Sequence, residues 1–146
     1  MEKDILKQSD THKVYNTTAF TVALVIGGPL AAAYMAASNY KHFGEESKKG
    51  YAWLTAILLL LVALGSAYVP VLESIPGIIV TLLLLLIMQL LVHRFQGKKI
   101  HQHIDAGGPV YPTSRAVVIG LISAAVLLAV IFGAAFLLES IGDWQV

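Results

Sequence analysis

Five histidines, His12, His42, His93, His101 and His103, are the side chains best suited to bind a metal or carry a proton. Two of them fall beside an acid in the run IHQHID, so His101, His103 and Asp105 are the metal candidates, as a two-histidine, one-carboxylate set. Their spacing argues against it. On a helix, i and i+2 point apart, and only His101 and Asp105, at i and i+4, share a face. The expected alternative is a solvated helix whose Lys98 and Lys99 lie near anionic headgroups. The chain has no cysteine, which removes disulfides, iron–sulfur clusters and sulfur-ligated zinc. No paired carboxylates, no nucleophile with a base and no phosphate loop stand out. GGPLAAAY is not a phosphate cradle, because it lies in an apolar run and has no lysine. No catalytic or cofactor-binding residue is assigned, and no cofactor is expected.

The elements that would position any such residues are set by composition. Of 146 residues, 57% are hydrophobic and 13% charged, against roughly 25% charged in soluble domains. Mean hydropathy is +0.73. A water-soluble domain of this size has too little interior for that much apolar surface. The solvent implied is lipid. A net charge of +1 carries no nucleic-acid footprint.

The first apolar stretch, Ala19 to Ala37, is AFTVALVIGGPLAAAYMAA. It is too long for the 7–15-residue apolar region of a secretory signal, so it is expected to stay with the chain. Gly27, Gly28 and Pro29 interrupt it, the residue types least suited to a helix interior. Two forms are open: a spanning helix with a kink, and a re-entrant hairpin that leaves where it entered. The kinked span is the commoner object and is the expectation, since a turn at bilayer depth needs protein around it. The remaining spans are expected at about 51–69, 77–93 and 115–138. Tyr51 and Trp53 mark one interface of the second and Tyr68 the other. The third is expected to continue as a helix through His93–Ala106 and to stop at Gly107, Gly108 and Pro109. The fold class is thus all-α: a single-domain integral membrane four-helix bundle spanning residues 1–146. Gln89 is the one strongly polar side chain within a span. With no charged group there, proton relays, coupled pumps and voltage sensing lack their usual apparatus.

Charge orients the bundle. With four full spans and the N-terminus outside, loops 39–50 and 94–114 are cytoplasmic and hold Lys41, Lys48, Lys49, Arg94, Lys98 and Lys99, with Arg115 at the start of the last span. Only Lys3, Lys7 and Lys13 lie outside, and acids balance them. The hairpin form would place all ten basic residues inside. Either form leaves the C-terminus outside.

Small residues recur at every fourth position. Ala23, Gly27 and Ala31 form one strip of the first span, beside Gly28, Ala32 and Ala36. Ala116, Gly120 and Ala124 form another in the fourth, as do Ala125, Ala129 and Gly133. Such strips let backbones approach closely in lipid. The first and fourth helices should therefore meet each other or copies of themselves.

GGPLAAAYMAASNYKHFG and QGKKIHQHIDAGG resemble a family of small bacterial multi-pass membrane proteins with a GGPLA-Tyr-Asn-aromatic-Gly signature. The resemblance implies a bacterial cytoplasmic (inner) membrane and several helices, and no activity. The expected role is a non-catalytic membrane protein, an accessory subunit or homo-oligomeric scaffold, whose partners are the bilayer and further membrane chains. The alternatives are a channel or facilitator for a small solute built on the Gly27–Pro29 break, and a membrane enzyme using the histidines of the third loop.

Overall fold

The structure, a computed structural model, describes residues 12–66, 69–72 and 74–142. Four helices make up the fold: α1 Thr17–His42, α2 Lys49–Ser66, α3 Gly77–Asp105 and α4 Thr113–Gly142. Each is long and apolar enough to cross a membrane, the all-α architecture of a membrane-embedded helical bundle. Among the described residues the sole β feature is an isolated bridge between Val14 and Val110.

The first apolar stretch takes the hairpin form, not the kinked span. An unbroken 26-residue helix would hold its ends about 39 Å apart. Here they touch. The Tyr15 N–H donates to Asn39 Oδ1 at 2.8 Å, and Asn39 Nδ2 donates to the Tyr15 carbonyl at 2.9 Å. His12 stacks on His42 with ring centroids 5.2 Å apart. The reversal is made at Gly28, with φ 65° and ψ −161°, a conformation essentially closed to residues with a Cβ. Pro29 follows as the first residue of the returning arm. There its missing N–H costs nothing and its fixed φ suits a helix start. The arms, 17–27 and 29–42, are about 17 and 21 Å long, roughly half a bilayer. The protein that a turn at depth requires is supplied by α2, α3 and α4, all of which pack on α1. The expectation that the chain before the first span lies opposite loop one is therefore overturned, because residues 12–15 sit beside residues 39–42.

Local signals fix the element ends. Asn16 caps α1, its Oδ1 accepting from the Ala19 N–H at 2.8 Å. At the other end Gly44 (φ 70°) donates to the Lys41 carbonyl and Glu45 to that of Tyr40, a Schellman stop. α3 runs past the apolar run to Asp105, and Gly107 (φ 79°) with Gly108 closes it by the same pair of bonds, to Ile104 and His103. The expected aromatic at Tyr68, Glu73 of the α2–α3 link, and the tail residues Asp143 and Trp144 lie outside the described residues, as do Lys3 and Lys7.

The core occupies one half of the bundle. Tyr15, Phe20, Met35, Asn39, Gln96 and Ile100 are wholly buried around the two arms. In α2 the buried positions are Ala52, Ala56 and Leu59, and in α3 they start only at Leu84. Beyond the hairpin tip the helices are mostly exposed, with Ala63 and Val80 half-buried between α2 and α3.

Candidate functional site

Three features could carry function: the seat of the hairpin on α4, the clamp at its base, and a cavity on its other side. The seat is made of small residues. A Cβ on Gly27 would lie 2.8 Å from Gly120 Cα and 2.9 Å from Ser123 Cβ. A Cβ on Gly120 would lie 2.8 Å from Ile26 Cβ and 3.3 Å from the Ala23 carbonyl. Both glycines are needed for the backbones to come this close. Ala23, Pro29, Ala31 and Ala116 are buried around them, and Ala124 is half-buried. The turn at Gly28 cuts each strip of the first stretch in two. Ala31, Ala32 and Ala36 belong to the returning arm, so the four-residue period does not run on from Ala23 and Gly27.

Ala125, Ala129 and Gly133 are exposed, and a Cβ on Gly133 would meet nothing within 4 Å. Every residue of α4 from Leu128 to Glu139 is exposed.

The clamp was not visible in the sequence. Arg115 Nε donates to the Tyr15 hydroxyl at 2.9 Å, and its guanidinium lies 4.3 Å from the Tyr111 ring centroid. Tyr15 stacks on Tyr111 at 4.5 Å. Burial pushes the Tyr15 hydroxyl above its usual pKa, and the Arg115 hydrogen bond opposes this. The phenol is therefore neutral and donates or accepts as a polar pin. Val14 adds backbone bonds to Pro109 and Tyr111. One signal was available: Asn39 and Tyr15 are bulky polar groups flanking an apolar run with a Gly-Gly-Pro centre. Only the pairing of its ends could say that they meet.

The third-loop histidines do not converge. His101 and Asp105 are exposed, while His103 Nε2 lies 3.0 Å from the Pro109 carbonyl and packs under Gly108. Among the described residues no three His, Asp or Glu side chains are grouped as metal ligands.

The cavity, about 440 Å3, lies between the returning arm, α2 and α3. Ala36 and Tyr40 line it from α1, Tyr51, Ala52 and Thr55 from α2, and Met88, Leu91, Val92, Phe95 and Gln96 from α3, with Lys48 at its edge. Gln96 Nε2 donates to the Ala36 carbonyl at 3.0 Å, and its Oε1 has no partner although the residue is 1% exposed. In the sequence Gln96 reads as part of a solvated polar run, QGKK. Gln89, the polar residue singled out there, donates to Thr21 Oγ1 at 3.0 Å. Just outside the cavity Glu45 accepts from Lys48 at 2.6 Å and Lys99 at 2.7 Å. The hydrogen bonds from Lys48 and then Lys99 hold its carboxyl below the usual carboxylate range.

No family model, no curated protein and no solved structure matches the chain.

Proposed function

We propose that the protein is a non-catalytic membrane scaffold that works by self-association, with the outer half of α4 as its seam. The observation that carries this reading is the contrast within α4. Ala125, Ala129 and Gly133 repeat the spacing that seats the hairpin at Gly120, yet none of the described residues covers them. Two copies presenting that strip to each other would form an isologous pair in which backbones approach closely. In this reading the protein belongs to a bacterial cytoplasmic membrane and its hairpin base faces the cytoplasm, which the charge distribution supports. That end carries Lys13, Lys41, Lys48, Lys49, Arg94, Lys98, Lys99 and Arg115 against Glu45, Glu46 and Asp105, and the chain beyond Arg115 has no basic residue. The channel reading has less support, because the break it would use is covered by Gly120 and Ser123.

The chain has no cysteine, so Ala129→Cys introduces a single thiol. Oxidation in native membranes is expected to give a disulfide-linked homodimer, and adding Gly133→Leu is expected to abolish it. A thiol that stays monomeric, or pairs only with a different chain, overturns self-association; the second outcome makes the protein an accessory subunit.

A further inference from the structure

We infer that the cavity beside the hairpin holds one anionic phospholipid with a free hydroxyl in its head, phosphatidylglycerol being the simplest such lipid. The inference does not depend on self-association, because the cavity lies between α1, α2 and α3, whereas the proposed seam is on α4.

Four observations specify the occupant. Volume comes first: about 440 Å3 has room for one acyl chain or a head with the top of its chains, so the lipid seats part of itself here and leaves the rest in the bilayer. Second, the walls are mainly aliphatic and aromatic from Thr55 and Met88 outward, which suits an acyl chain. Third, the polar groups gather at one end. Lys48 and Gln96 both lie within a turn of the Glu45–Lys99 pair that marks the hairpin base, so a head placed there leaves its chain pointing along α2 toward mid-depth. That end carries eight basic side chains against three acidic ones among the described residues, which favours an anion. Lys48 keeps half of its side chain exposed beside Glu45, and Glu45 has Lys99 as a second cation. Lys48 can thus turn to a phosphate without leaving Glu45 unpaired.

Fourth is Gln96. A buried carbonyl with no donor has lost its water and gained nothing in return. Gln96 Oε1 is such a group, and its residue forms part of the cavity wall. It calls for an O–H or N–H donor from the occupant. A phosphate diester and its acyl esters have none, whereas a glycerol head does. Lys48 therefore selects for charge and Gln96 for the hydroxyl.

The test uses the full chain, purified in neutral detergent doped with equal amounts of phosphatidylglycerol and phosphatidylcholine of identical acyl chains. Native mass spectrometry counts the lipids retained. One phosphatidylglycerol per chain is expected, favoured over phosphatidylcholine about fivefold or more, the scale of one lysine near a headgroup. Lys48→Gln is expected to bring the two lipids close to parity. Gln96→Leu is expected to lower retention of phosphatidylglycerol. Thr55→Phe fills the deep end and should abolish retention with helicity unchanged. Should that variant fail to fold, Leu91→Trp blocks the cavity from α3 and decides the question. Equal retention of both lipids by the wild type, or undiminished retention in a folded blocked variant, overturns the inference.

Discussion

In the first four turns of α4, Ala116, Gly120 and Ser123 are buried beneath Ala23, Ile26 and Gly27. From Ala125 onward the same helix offers small residues at the same spacing, and none of the described residues covers them. The two regions hardly differ in composition. They differ in reach: each arm of α1 is about 17–21 Å long, so the hairpin covers α4 to mid-depth and stops. A strip of small residues is therefore permission for contact and does not itself create one. The contact exists where a second backbone has been brought alongside, and in this chain Gly28 and Pro29 decide how far that backbone extends.

The comparison breaks most sharply at the glycines. Gly120→Leu drives a side chain into the Ile26 side chain and against the Ala23 backbone carbonyl. It is expected to destabilise the fold by about 3 kcal/mol, at the upper end for overpacking, despite the gain in helix propensity. A thermal melt followed by circular dichroism in detergent reads this, and an unchanged midpoint would mean that the hairpin does not seat there. Asn39→Leu comes next. It leaves the buried Tyr15 N–H and carbonyl without partners, at a cost of about 2 kcal/mol, and should raise proteolysis near the hairpin base. Tyr15→Phe removes only the bond to the exposed Arg115 and keeps the stack on Tyr111. Its expected cost is about 1 kcal/mol in the same melt.

Smaller still is the effect of pH at Glu45. Its carboxyl is depressed in the folded state, so the stability it contributes is present above its unfolded pKa and lost as pH falls through the folded one. The melting difference between wild type and Glu45→Gln should be modest at neutral pH and shrink as the pH falls below the ordinary carboxylate range. A difference that persists in acid would place its cause outside the ion pairs. Last, Gly133→Leu should leave the melt of the single chain unmoved, since a Cβ there meets nothing within 4 Å, even as it blocks self-association.

The membrane solvent, the four apolar helices and the stop at Gly107 were legible because each rests on local chemistry. The extension of α3 through His93–Asp105 was legible for the same reason. The direction of the chain after Gly28 was not. Gly-Gly-Pro permits a kink and a reversal alike, and the choice rests on contacts between residues 24 apart, Tyr15 and Asn39. The preference for the commoner kink gave way because α2, α3 and α4 all pack on α1 and supply the protein that a turn at depth requires. Gln96 escaped notice for a related reason. It lies in a run of polar residues that a period cannot distinguish from solvated helix, and it is buried only because the returning arm lies against it at Ala36.

The reversal at Gly28 also changes a count. A hydropathy scan scores four crossings and puts both termini in one compartment; a stretch that enters and withdraws leaves three, an odd number. Reporters fused ahead of residue 12 and after residue 142 should then answer from different compartments. Lys13, which lies between His12 and Tyr15 beside residues 39–42, then shares the end of the bundle that holds Lys41.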